Sequence, residues 1–207
     1  MRTFKLFTIL LILSMISLSS YAQLFTVSGQ VGYAGPRGNA FTDDVTGDRL
    51  SSFGLGYEAD VMMCLDKLDN KLAVGLMYSG AALIGSEGES FFDFGVYGLA
   101  LYGIKGQYRL LNPDKSFSPY GSLGLGLSQM STPDVTVGTD VTKGGRAYSL
   151  GLRPEIGLDL GGFLISASYF VPMKYKIESP TGDFDGTAGA FNISIGYRHY
   201  MDLTGIF

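Results

Sequence analysis

Residues 91–110 read FFDFGVYGLALYGIKGQYRL, and their alternation decides the fold. The even positions are Phe92, Phe94, Val96, Gly98, Ala100, Tyr102, Ile104, Gly106, Tyr108 and Leu110, whereas the odd positions end in Lys105, Gln107 and Arg109. Successive side chains of a β-strand point to opposite faces, so one face of this segment carries no polar group except tyrosine hydroxyls. Tyr97, Leu99 and Leu101 on the second face soften the contrast. Strands of soluble proteins run for about 3–10 residues, and this apolar face outruns them.

Working outward, the same period recurs from end to end and no window carries a sustained helical stripe. Tyr148, Leu150, Leu152, Pro154, Ile156, Leu158 and Leu160 alternate with Ser149, Gly151, Arg153, Glu155, Gly157 and Asp159. Phe163, Ile165, Ala167, Tyr169, Val171, Met173 and Tyr175 oppose Ser166, Ser168, Pro172 and Lys174. Leu123–Leu127 and Phe53–Val61 alternate in the same way, and weaker strands are predicted at about 25–35, 72–84 and from Phe191 onward. The connections alternate in length. Segments 36–51, 85–90, 130–146 and 176–188 are long or polar, whereas 64–71, 111–118 and the Gly161-Gly162 pair are short. An even-numbered up-and-down sheet with long loops at one end and short turns at the other has the layout of a transmembrane barrel. The predicted fold is therefore all-β: an eight-stranded antiparallel up-and-down transmembrane β-barrel.

The barrel begins after a leader. Residues 1–22 run from basic Arg2 and Lys5 through an apolar stretch, Leu6 to Ile16, to Ser20-Tyr21-Ala22. This order marks a secretory signal peptide cleaved after Ala22, and the apolar stretch is shorter than the roughly 20 residues a membrane-spanning helix needs. The predicted domains are thus 1–22, signal peptide, and 23–207, barrel.

Composition narrows the function. The 207 residues include one Cys, one His and 30 Gly, with a formal charge of −4. A single Cys makes no internal disulfide or cysteine zinc site, and the acidic balance argues against nucleic acid. A soluble barrel with the apolar face inward is the alternative architecture, which would make a periplasmic ligand-binding protein. Against it, the second face is mostly Gly, Ser and Ala, where a soluble exterior would be rich in Lys and Glu. Aromatics also fall near both strand ends, with Tyr33, Phe53, Tyr78, Phe92, Tyr148, Tyr175 and Phe191 toward the long loops and Phe25, Tyr108 and Phe163 toward the short turns, as membrane girdles do.

On these features, together with the hairpin from Tyr108-Arg109-Leu110-Leu111 to Ser118-Pro119-Tyr120-Gly121 and the terminal Phe207, the chain resembles the small eight-stranded outer-membrane β-barrel family of Gram-negative bacteria, which includes outer-membrane-protein-A-type transmembrane domains. The resemblance implies an outer-membrane location with lipid around the barrel. It also implies that the barrel assembly machinery reads a C-terminal signal, here Tyr197, Met201, Leu203 and Phe207.

With the C-terminus on the periplasmic side, Glu58, Asp60, Lys105, Arg109, Arg153, Glu155, Asp159 and Arg198 face the lumen in its middle or periplasmic half. Four acids facing four bases form a balanced filling for a space that penalises isolated ions. The expected role is structural or surface-interaction, of an adhesion type, with an extracellular ligand met by the long loops. The alternative is a narrow gated channel or small-solute conduit, in which salt-bridge partners swap; a wide diffusion pore is excluded by the width of eight strands.

No cofactor, metal or catalytic residue is expected. Gly54-Leu55-Gly56-Tyr57 imitates a dinucleotide fingerprint inside a strand that opens no helix. Asp43, Asp44, Asp48, Asp183 and Asp185 lack the spacing of a calcium loop. His199 falls on the lipid side in the periplasmic half, away from any site at the outer rim, and Cys64 is placed at a periplasmic turn. The four long segments hold ten acidic residues against five basic ones, which disfavours direct binding of lipid phosphates.

Overall fold

The alternating apolar segments become long strands because each offers a full apolar face to lipid and a small or polar face to the interior. In the computed structural model, residues 24–42, 51–65, 68–86, 94–112, 116–132, 135–137, 140–142, 144–177 and 184–202 are described. Residues 1–22, for which a signal peptide is predicted, the acidic positions 43, 44, 48 and 183, Phe92, Leu203 and Phe207 lie outside them.

The elements in chain order are β1 (Leu24–Arg37), a short 3-10 turn (Asn39–Phe41), β2 (Ser51–Cys64), β3 (Leu72–Ser86), β4 (Phe94–Arg109), β5 (Ser118–Ser131), β6 (Val135–Val137), β7 (Asp140–Thr142), β8 (Arg146–Leu160), β9 (Phe163–Ile177) and β10 (Phe184–Asp202). All but β6 and β7 join one closed antiparallel barrel in the order β1-β10-β9-β8-β5-β4-β3-β2. Closure pairs β1 with β10 from Leu24↔Asp202 to Arg37↔Gly189, so each of the eight barrel strands has a neighbour on both sides.

The short turns use residues that tolerate positive φ. Gly161 and Gly162 have φ of 66° and 99°, and Asp69 and Asn70 have φ of 53° and 57°. Glycine adopts this region without a Cβ penalty, and Asn and Asp tolerate it better than other side chains.

Burial settles which face is which. Val31, Leu55, Ile104, Leu150 and Ile156 are 54%, 55%, 55%, 69% and 69% exposed on the outer wall. Arg109, Arg153 and Arg198 are at most 2% exposed inside it. The apolar face is outward, which overturns the soluble barrel with an apolar interior. Tyr33, Phe53, Tyr108, Tyr148 and Phe163 are exposed on the outer wall.

Five sequence expectations need correction. The last strand begins at Phe184, seven residues ahead of Phe191, and the segment 130–146 carries its own small hairpin, β6–β7. Cys64 is the buried last residue of β2 and not part of a turn. Tyr78 lies near the middle of β3, stacked on Tyr102 with ring centroids 4.9 Å apart, away from the girdle expected for it. Tyr175 faces the lumen and not lipid. The β9–β10 register passes from Ala188↔Met173 to Ala190↔Phe170, leaving one extra residue in β9 opposite Gly189. That bulge contains Pro172, which has no N–H to give to the ladder, and it reverses the inside–outside phase of the residues beyond it.

Candidate functional site: the barrel lumen

Inward side chains at the middle and short-turn end of the barrel are polar or charged, as their alternate positions require. Glu58 and Asp60 come from β2, Lys105 and Arg109 from β4, Arg153, Glu155 and Asp159 from β8, and Arg198 from β10. All eight are buried.

Lys105 is the hub of the middle tier. Its ammonium contacts Glu58, lies 3.0 Å from Asp60 Oδ2 and lies 3.1 Å from Glu155 Oε2. Arg153 bonds Glu58 and, at 3.1 Å, Glu155 Oε2, while its Nη2 donates to Ser168 Oγ at 2.7 Å. Glu155 is the most fully satisfied carboxylate, accepting also from Tyr120 Oη at 2.8 Å, Gln30 Nε2 at 3.3 Å and Ser122 Oγ at 3.3 Å. Such saturation is what allows a buried carboxylate to remain charged.

Nearer the short turns, Arg198 donates to Asp159 Oδ2 at 3.1 Å and to Gln107 Oε1 at 2.8 Å. Asp159 accepts from the backbone N–H of Gly162 at 2.8 Å and from the Tyr200 hydroxyl, so the same carboxylate ties the hairpin turn to the lumen floor. Arg109 stands apart: its guanidinium lies 5.2 Å from the Tyr200 ring centroid and its Nη1 lies 3.8 Å from Cys64 Sγ.

Toward the long loops the lumen changes character. Met77, Leu83, Leu99, Leu101, Met130, Phe170 and Tyr175 form one buried apolar cluster. Phe41, dropped into the mouth by the 3-10 turn, meets Tyr97 edge-on with centroids 5.8 Å apart. Asn39 Oδ1 accepts from the Thr187 N–H at 2.6 Å and its hydroxyl at 2.9 Å, which fastens that turn to β10. Two glycines make room for the cluster. A Cβ on Gly151 would lie 2.6 Å from Leu101 Cδ1, and one on Gly124 would lie 2.3 Å from Met77 Sδ.

The lumen is thus a charged lower tier under an apolar upper tier. The upper tier escaped the sequence reading, although Leu99 and Leu101 already sit in the inward phase of β4. Gln30, Gln107, Tyr120 and Tyr200 are network members that the charge pattern alone did not select; their signal is the same inward phase. Of the residues expected to form an assembly signal, Tyr197 is exposed on the outer wall and Met201 is half-buried. His199 is exposed on the outer wall. Among the described residues no cluster of His, Cys, Asp and Glu has the arrangement of a metal site.

The barrel is similar to solved outer-membrane proteins. The attachment invasion locus protein Ail of Yersinia pestis, in complex with the heparin analogue sucrose octasulfate, matches with 20% identity and a TM-score of 0.51, over 84% of this chain and 99% of that one. Neisserial surface protein A matches with 17% identity and a TM-score of 0.50, over 84% of this chain and 95% of that one. At such identities the likeness speaks for the fold alone. No curated protein matches the sequence. A family model, the outer membrane protein beta-barrel domain, matches residues 8–198. The chain belongs to the outer membrane protein beta-barrel domain family.

Proposed function

We propose that this barrel is a sealed scaffold of the surface-interaction type, holding its long loops at the outer face of a bacterial outer membrane. One observation carries the reading: the lumen is filled in two successive tiers, ions then apolar side chains, which leaves the loop end as the surface with chemistry to offer. In this reading residues 1–22 are removed after Ala22, the barrel assembly machinery reads Tyr197, Met201, Leu203 and Phe207, and the short turns face the periplasm. The eight lumen ions act as a structural plug, and no residue is assigned a catalytic role.

Loop charge narrows the ligand. The long segments of this chain carry ten acidic and five basic residues, whereas the sucrose octasulfate bound by Ail is polyanionic. A basic partner surface fits this chain better than a sulfated one.

Conductance of the refolded barrel in planar bilayers tests the sealed scaffold. Neither the wild type nor Arg153→Ala should carry current. Steady current through either form would replace this reading with the narrow channel.

A further inference from the structure

The seam between β8 and β9 is only partly zipped. β8 pairs with β5 from Ser118↔Asp159 to Ser131↔Arg146, and β9 pairs with β10 up to Phe184↔Ile177. Between β8 and β9 themselves the ladder starts at Leu160↔Phe163 and stops at Glu155↔Ser168. Residues 146–154 and 169–177 continue as neighbouring strands with no ladder pair between them. The sequence supplies a reason. Pro154 is the first residue of β8 beyond the last pair, and Pro172 sits in the β9 bulge, so each strand lacks an N–H in the stretch where the ladder would continue.

Burial changes across the same line. Ser149 shares the inward phase of its β5 partner Ser128, and Met173 packs on the apolar cluster beside its β10 partner Ala188. Ser128 and Ala188 are buried, whereas Ser149 and Met173, next to the seam, are half-buried.

Side chains hold the seam in place of the ladder. At its base Arg153 Nη2 donates to Ser168 Oγ at 2.7 Å, and the guanidinium lies 5.3 Å from the Phe170 ring centroid. Higher up, Tyr175 of β9 shares a hydrogen bond with Ser128 of β5, and so reaches behind β8. Tyr175 faces inward because of the bulge, so the irregularity that disturbs β9 also supplies its tie. Behind the seam lies the apolar tier with Leu101, Met130 and Phe170, and Leu150 stands exposed on its outer side. A missing ladder is costly in hydrocarbon, and this stretch of wall is held by a few side-chain contacts alone.

We propose that the upper β8–β9 seam is a lateral gate: released from the tie between Tyr175 and Ser128, it opens toward the membrane and admits an acyl chain of the surrounding lipid against the apolar tier. The occupant follows from the chemistry on both sides of the line, hydrocarbon outside and aliphatic and aromatic side chains within. The gate goes beyond the surface-interaction reading and leaves it intact, because an opening through the wall makes no path along the axis past Lys105 and Arg153.

The test uses the full wild-type chain, refolded into vesicles of a phospholipid with a mid-chain diazirine, photolysed and read by peptide mass spectrometry. Adducts on Phe170, Met173 or Tyr175 are expected beside those on outward-facing Leu150. Adducts confined to outward-facing residues overturn the gate, and so do inward adducts that reach Leu83 on β3 as readily as Phe170, which would mean entry from the mouth. Tyr175→Phe removes the hydroxyl alone and should raise the adducts on Phe170 and Met173 about fivefold, as the loss of one ordinary hydrogen bond does. Equal labelling of the two forms overturns the tie as the element that holds the gate. Hydrogen exchange of the wild type is independent of that variant and stands even where it fails to fold. Amides in 147–153 and 170–176 should exchange at least about tenfold faster than those of the β3–β4 ladder, which is paired from Leu72↔Tyr108 to Ser86↔Phe94. Equal protection of the two regions overturns the proposal.

Discussion

In the short-turn half of the lumen Lys105 touches three carboxylates and Arg153 two of the same three, whereas in the long-loop half Leu83, Leu99, Leu101 and Phe170 pack on one another. Both halves are the inward face of the same strands, seen a few residues apart. They differ in how they fail. An ion network stabilises only while every member has its partner, because a stranded buried charge keeps its desolvation cost. An apolar cluster loses contacts in proportion to the atoms removed and relaxes around the gap.

The largest expected effect is therefore at the hub. Lys105→Met leaves Glu58, Asp60 and Glu155 facing one another across Arg153 and should cost about 3–5 kcal/mol. Measured as the loss of the heat-modifiable folded band on SDS gels and a lowered urea midpoint in micelles, a cost under about 1 kcal/mol would erase the contrast between the tiers.

Leu101→Ala in the apolar tier should cost less, about 3 kcal/mol, and should leave planar bilayers silent because the ion tier still closes the lumen. Opening of a pore by this change alone would show that the apolar tier is the true seal.

Gly151→Val probes the same tier from the opposite side. The added Cβ would lie 2.6 Å from Leu101 Cδ1 and 2.7 Å from Ser128 Cβ, and overpacking of this kind costs about 2 kcal/mol. Combined with Leu101→Ala, the two changes should cost less than their sum, because the smaller residue vacates the space the larger one needs. Strict additivity in urea titrations would argue that the cluster does not pack as described.

The smallest effect is expected at the boundary, where the Tyr175 hydroxyl hydrogen-bonds Ser128. Tyr175→Phe should cost about 1 kcal/mol in the same titration. A value matching the hub would mean that the upper tier depends on polar contacts after all.

Much of this was legible in residues 91–110. The period of two named the strand and its lipid face, and the polar members of the second face, Lys105 and Arg109, pointed to the lumen. The same logic selected all eight inward ions, and the Gly161-Gly162 pair marked its hairpin. The phase of Tyr175 was not legible, since Val171, Met173 and Tyr175 continue the alternation on paper. Only the pairing of β9 with β10 shows that an extra residue at Pro172 turns Tyr175 inward. The hairpin β6–β7 was missed because Val135–Val137 and Asp140–Thr142 are too short to show a period.

By itself the sequence determined that the chain is a barrel with its apolar face in lipid, because alternation is a property of each strand and needs no partner to be read. The tertiary structure alone decided which inward residues meet. It set Lys105 among three carboxylates, left Arg109 beside a thiol and a tyrosine ring, and stacked an apolar tier above them. The reason is geometric: ion pairing across a lumen depends on the register and stagger of strands distant in sequence, and these exist only once the sheet closes on itself.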